Sequence, residues 1–195
     1  METKILNLQS NQTASDLNLI FGARHRFVAS GTNEVMTLDD FISAKYALDK
    51  AHVPNSRRVA IVDPSVEVQL NRLAGDAAFS ARPIWDNVIN AGFGNQMRFI
   101  YSIYGFEVYV SNYLADANET INSVTAAAGK ANLFFSADSS VLPFVGAWRQ
   151  APKVESQRNI PFQRDEYFLT ARYGLDLYRP ENLVIVISDT DQVYA

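Results

Sequence analysis

Apolar positions along this chain change period several times, and each change marks an element. After Thr37-Leu-Asp-Asp40, residues Leu38, Phe41, Ala44, Leu48 and Ala51 recur at helical spacing and form one stripe for burial. A threonine followed three residues later by an acid is a helix-start signature. Pro54 ends the helix, because the residue before a proline is pushed out of the α region. Residues 59–62 read as a short apolar strand closed by Asp63-Pro64. Ser65 is expected to cap a second helix carrying Val66, Leu70 and Leu73 on one face. Residues 75–95 lack a clear period and read as loop with one helical turn near 84–89. Residues 97–104 and 106–110 read as strands around Gly105, with Phe106, Val108 and Val110 alternating with Glu107 and Tyr109.

Further along, the alanine run predicts a small helix over 119–130 that ends at Gly129. Residues 132–135 form another strand, 141–148 fit either period, and 153–155 open a β region. A long strand over 167–178 contains Gly174, a candidate bulge or close-approach point. Arg179-Pro180-Glu181 turns the chain into 183–187, a continuous apolar run of the kind buried on both faces. At the start, 7–18 is polar and reads as arm or loop, with short strands at 19–21 and 26–29. The class is α+β.

Composition narrows the function more than the fold. The chain has 195 residues, 48% hydrophobic and 19% charged, enough apolar content for a sizeable core. Net charge is -4 and no lysine or arginine run is present, which argues against a dedicated nucleic-acid binder. With no cysteine, disulfides, thiolate metal sites and cysteine nucleophiles are absent. No leader-like or membrane-spanning run is visible, so no membrane partner is expected.

The search for chemistry returns no active site. His52 falls at a helix C-terminus, where its positive form is favourable. His25 stands between Arg24 and Arg26 and reads as part of an exposed basic trio facing solvent or a neighbouring subunit. Asp39-Asp40 belongs to a helix first turn, and Asp189 and Asp191 read as a hydrated tail rather than a cation site. Gly92-Phe-Gly94 lacks the third glycine of a dinucleotide loop, and no nucleophile elbow, P-loop or metalloprotease motif occurs. Trp85 and Trp148, with Phe134 and Phe135, read as core or subunit contact before pocket lining. Arg57-Arg58, Arg164-Asp165-Glu166 and Arg179-Glu181 read as turn and edge decoration or as intersubunit ion pairs. No cofactor and no enzymatic activity are expected.

Three blocks, in order, carry a resemblance. Leu48-Asp-Lys-Ala-His-Val-Pro54 running through Arg58 and a strand to Pro64 resembles the helix and following strand of tailed-phage major capsid proteins. Tyr104-Gly-Phe-Glu-Val-Tyr-Val-Ser-Asn112 resembles the segment where that fold crosses its axial lobe. Tyr173-Gly-Leu-Asp-Leu-Tyr-Arg-Pro-Glu181 and the strand after it resemble a peripheral-lobe strand pair. The resemblance covers about residues 37–188. It implies an assembly role for Pro54, Arg58, Pro64, Gly105, Asn112, Gly174, Arg179, Pro180 and Glu181, and for no catalytic, cofactor or metal residue.

The same resemblance implies an arm or extended-loop remnant at 1–36, and a peripheral helix and strand at 37–64. It places a mainly axial lobe at 65–150 and peripheral closing strands at 151–195. The stretch before the helix is short for a full arm plus an extended hairpin, so the chain is expected to be truncated or a compact variant. Its implied partners are copies of itself in pentamers and hexamers, scaffold, portal or decoration proteins, and enclosed double-stranded DNA held without specific binding. The implied location is the virion capsid, assembled in host cytoplasm. Lysine–asparagine cross-links occur in some relatives, but no motif designates a pair here. Two other readings stay open: an encapsulin-type nanocompartment shell, and a hydrolase or carbohydrate-binding domain using Asp165, Glu166 or the tryptophans.

Overall fold

The computed structural model describes residues 19–75 and 102–191. The expected arm at 7–18, the loop at 75–95, the start of the strand at 97–104, and Trp85 lie outside or largely outside those residues. The described residues open with a short antiparallel pair, β1 (Leu19–Ile20) and β2 (Ala23–Arg24). At the centre is a six-stranded mixed sheet built from β3 (Arg26–Val28), β4 (Arg58–Val62), β5 (Ser102–Ile103), β6 (Phe106–Val110), β9 (Gly129–Ser136) and β12 (Leu183–Asp189). Its order is β3-β12-β9-β4-β6-β5. β12 runs parallel to β3, β4 runs parallel to β6, and the remaining neighbours are antiparallel. Strands from all four sequence segments, 1–36, 37–64, 65–150 and 151–195, thus share one sheet. Residues 26–28, within the short strand expected at 26–29, are an edge strand of that sheet.

Both faces of the sheet are covered, which is why its central strands read as unbroken apolar runs. On one face Ala60, Val62, Phe134, Val184 and Val186 pack with helix α1 (Leu38–Lys50) through Phe41, Ala44 and Leu48. Phe134 meets Phe41 and Phe106 edge-on, with ring centroids 5.1 and 5.3 Å away. On the other face Leu133, Phe135, Leu183, Ile185 and Ile187 pack with Leu114, Ile121 and Ala126. Alternate residues of one strand therefore serve two cores.

Helix α1 starts as its sequence predicts. The Thr37 backbone N–H and hydroxyl both donate to Asp40 Oδ2, at 2.8 and 3.1 Å. Helix α2 (Pro64–Gly75) has proline in its first turn. Its cap is Asp63 and not Ser65: Asp63 Oδ2 accepts from the Ser65 N–H at 3.0 Å and from its hydroxyl at 2.7 Å.

The helix expected over 119–130 is not formed. Instead, β7 (Thr120–Ile121) and β8 (Val124–Thr125) make a small hairpin. Asn122 and Ser123 both adopt positive φ, 58° and 66°, at its turn. Ala126 is fully buried and Gly129 opens β9. Alanine's helix preference amounts to a few tenths of a kcal/mol per residue and yields to burial against the second core. The turn expected near Gly105 is present: Tyr104 and Gly105, at φ 50° and 89°, join β5 to β6.

Candidate assembly surface

Beyond the sheet, β10 (Phe144–Asn159) and β11 (Arg164–Leu177) form a separate two-stranded antiparallel ribbon. Strands of 16 and 14 residues make it about 50 Å long at ~3.3 Å per residue. Of the ambiguous stretch at 141–148, residues 144–148 are the foot of β10, and 153–155 lies within that strand.

The foot is anchored. The N–H groups of Tyr178 and Arg179 donate to the Pro143 carbonyl at 2.7 and 3.2 Å, and Asn182 Nδ2 donates to the Val141 carbonyl at 2.5 Å. Arg179 Nη1 donates to the Ser140 carbonyl at 3.1 Å, while Pro180 opens a short 3-10 turn over Pro180–Asn182. His25 Nε2 lies 3.1 Å from the Glu181 carbonyl. Phe144 and Leu177 pack on the second core. Arg179, Pro180 and Glu181 therefore form one clamp at the ribbon's base, and Arg179 is held within the subunit.

Above the clamp the ribbon is amphipathic. Residues opposite one another in an antiparallel pair share a face, and neighbours along a strand alternate. The pairing puts Tyr167, Leu169, Ala171, Tyr173 and Leu175 of β11 on one face, joined by Trp148 and Val154 of β10. The Trp148 and Tyr173 rings meet at a tilt of 52° with centroids 5.3 Å apart. The other face carries Lys153, Glu155, Gln157, Glu166, Thr170 and Arg172 together with Phe168, while Ser156, Arg158 and Asp165 bring polar groups to the tip end of the first face. Despite its chemistry the first face is open to solvent: Val154 is 64%, Tyr167 72% and Leu169 70% exposed, with Ile160 and Phe162 exposed at the tip. A two-stranded hairpin is marginally stable by itself, and a long exposed apolar face on one is unusual for an isolated subunit.

Gly174 is neither a bulge nor a close approach. It pairs in register with Ala147, and a Cβ there would meet nothing within 4 Å. The irregularities lie on β10, between Trp148 and Gln150 and between Gln150 and Lys153.

The remaining assembly candidates stand apart from the ribbon. Arg58 is buried, not turn decoration. Its Nη2 donates to Asp49 Oδ1 at 2.6 Å and to the Val53 carbonyl at 2.8 Å, and its Nε donates to the Pro54 carbonyl at 3.2 Å. It fastens the end of α1 to β4. Pro64 begins α2, Gly105 turns β5 into β6, and Asn112 is exposed just past β6.

The basic trio is also corrected. His25 and Arg26 are buried and only Arg24 is exposed. Arg26 pairs with Glu119, its Nε donating to Oε2 at 2.9 Å. Burial lowers the His25 pKa below its usual value, opposed by hydrogen bonds to the Ala23 and Glu181 carbonyls. Asp189 is buried too. It accepts from the N–H groups of Ala128 and Asp191 at 3.1 and 2.9 Å, so it closes a turn and is not a hydrated tail.

Sequence reasoning missed Asn132, whose type gives no signal inside an apolar strand. Fully buried, it accepts from the Asp63 N–H at 2.9 Å and donates to the Val186 carbonyl at 3.0 Å and to Ser188 Oγ at 2.8 Å. No cluster among the described residues could hold a metal ion, and no described helix is long and apolar enough to cross a membrane.

A mixed sheet covered on both faces thus carries a ribbon whose apolar face is open to solvent. The sequence matches the family described as phage capsid protein over residues 4–186, and the chain belongs to that family. Its fold is similar to that in the capsid structure of cyanophage P-SCSP1u, with a TM-score of 0.57, 15% identity, 94% of this chain covered and 59% of that one. A Mycobacterium phage Che8 structure aligns with a TM-score of 0.53 and 20% identity over 83% of this chain and 53% of that one. The holo-SrpI encapsulin complex of Synechococcus elongatus PCC 7942 aligns with a TM-score of 0.53 and 14% identity, covering 98% and 61%. The chain thus spans between about half and three-fifths of the length of these relatives. No curated protein matches the sequence. Family and fold are those of a structural protein.

Proposed function

We propose that this chain is a structural subunit of a bacteriophage capsid, and that the ribbon's apolar face is a contact surface between subunits. The observation carrying this reading is the exposed stripe of Trp148, Val154, Tyr167, Leu169 and Tyr173, continuous at its foot with the second core. Membership of the phage capsid family supplies the class of assembly. Many copies would join through repeated contacts of this kind into five- and six-membered rings and then a closed shell, where multivalency makes modest contacts add up. The net charge of -4 suits a wall that confines double-stranded DNA without gripping it. Scaffold, portal and decoration proteins, and assembly in host cytoplasm before incorporation in the virion, complete the proposal.

The role is assembly and not turnover. Asp165 and Glu166, the carboxylates of the hydrolase alternative, are consecutive in β11 and point to opposite faces. Glu166 accepts from Arg164 and Asn159 at 2.7 and 3.1 Å. An encapsulin-type shell is the second reading, favoured by the likeness to the Synechococcus complex. Electron microscopy of the protein purified in its natural full length tests both. Rings or closed shells are expected. A co-purifying enzyme inside them would move the assignment to the second reading, and a strict monomer at high concentration would overturn the shell assignment.

A further inference from the structure

The two outer edges of the ribbon are unequal. β10 contains Pro152, which has no N–H to donate, and two irregularities that bend it away from regular pairing. These are devices that protect a sheet edge. β11 runs through 14 residues without proline, and no described strand pairs with its outer side. Its edge is open for strand addition.

From this asymmetry we propose that β11 pairs antiparallel with β11 of a second copy, about a two-fold axis at Leu169, giving a four-stranded sheet β10-β11-β11-β10. The inference deepens the shell-subunit reading and rests on it, because a shell subunit always has a second copy beside it. Strand alternation limits the registers: only those that pair odd with odd positions keep both apolar faces on the same side. Among these, centring on Leu169 sets Leu169 against the partner's Leu169, and Glu166 against the partner's Arg172. The two-fold axis makes that charge pair twice. Arg172 is exposed and forms no ion pair with the described residues, and the bonds to Glu166 both fall on Oε1. Centring on Phe168 would oppose Arg164 to the partner's Arg172 twice, which is repulsive. Centring on Thr170 would separate the leucines and move charge pairing to Arg164 and Asp176 near the strand ends.

The chain has no cysteine, so every disulfide formed joins two introduced thiols. Full-length Glu166→Cys and Arg172→Cys proteins are prepared separately, checked for native circular dichroism, mixed, co-assembled and mildly oxidised. The expected result is a disulfide-linked dimer in the mixture and none with either variant alone. Like positions would be six residues out of register, about 20 Å apart at ~3.3 Å per residue and beyond disulfide reach. Leu169→Cys alone should cross-link to itself. Amide exchange provides a second readout in the wild-type protein: β11 amides should gain protection on assembly while β10 edge amides do not. Shells that form without the mixed cross-link, or with β11 exchange unchanged, overturn the pairing and leave the shell reading standing. An absence of any assembly overturns both. Equal cross-linking of the single variants means non-specific contact and overturns the register.

Discussion

The Nε2 atom of His25 lies 3.1 Å from the carbonyl oxygen of Glu181, joining the segment that leads into the central sheet to the clamp beneath the exposed ribbon. The Nδ1 atom meets the Ala23 carbonyl at 3.2 Å. The ring thus bridges a carbonyl of its own segment and one 156 residues further along the chain.

This contact predicts a pH dependence. Burial holds the folded pKa of His25 below its ordinary 6.5, so the unfolded chain takes up a proton first as pH falls. The stability from the neutral ring is fully present above about pH 6.5 and is lost as pH drops toward the folded value. Urea unfolding at pH 7.5 and pH 5 should show this loss, with a smaller loss in His25→Gln. Equal slopes for both proteins would assign the pH response to other groups.

Arg58 predicts a graded series. One of its nitrogens, Nη1, is buried without a partner, so the guanidinium depends on Asp49 and two carbonyls. Arg58→Ala should cost about 3 kcal/mol, because it empties a packed site and strands those acceptors. Asp49→Ala should cost less, about 1 kcal/mol, since Asp49 is half exposed and solvent screens the pair. Arg58→Met, which keeps volume without charge, should fall between wild type and Arg58→Ala. Chemical denaturation measures all three.

Three glycines separate close approach from open space. A Cβ at Gly129 would lie 2.3 Å from the Ala117 carbonyl oxygen, so Gly129→Ala should destabilise by about 2 kcal/mol or more. Gly105→Ala should cost about 1 kcal/mol through its φ of 89° alone. Gly174→Ala should change the melting temperature little, as nothing lies within 4 Å. A large effect at Gly174 in the unassembled subunit would contradict the open site.

The ribbon predicts a split between folding and assembly. Leu169→Lys and Val154→Lys alter exposed side chains and should shift subunit stability by no more than about 0.5 kcal/mol. Both should prevent assembly. Gln157→Lys, on the polar face, should assemble normally. Light scattering and thermal melts on the same samples read the two effects separately, and normal assembly of Leu169→Lys would remove the apolar face from the contact.

Local chemistry was legible wherever a residue acts on its own neighbourhood. Thr37 with Asp40, the stripe from Leu38 to Leu48, the turn at Gly105 and the buried run at 183–187 follow from capping, periodicity and backbone sterics within a few residues. The resemblance of the three blocks pointed to the family that the chain matches over residues 4–186. Among the assembly candidates, Arg179, Pro180 and Glu181 proved to share one clamp, whereas Pro54 with Arg58, Pro64, Gly105, Asn112 and Gly174 are dispersed.

Tertiary structure alone decided the rest. Whether Ala126 lies in a helix or in a turn depended on a second core made by β9 and β12, which a nearby alanine run does not encode. Arg26 and His25 were buried by Glu119 and Glu181, distant in sequence, so a surface-like basic trio became interior. The amphipathic ribbon needed the cross-strand register as well. Its apolar face takes Trp148 and Val154 from opposite sides of two irregularities in β10 and Tyr167, Leu169 and Tyr173 from the other strand. Periodicity reports which way a side chain points along its own segment. Burial is set by what packs there, and here that comes from elsewhere in the chain.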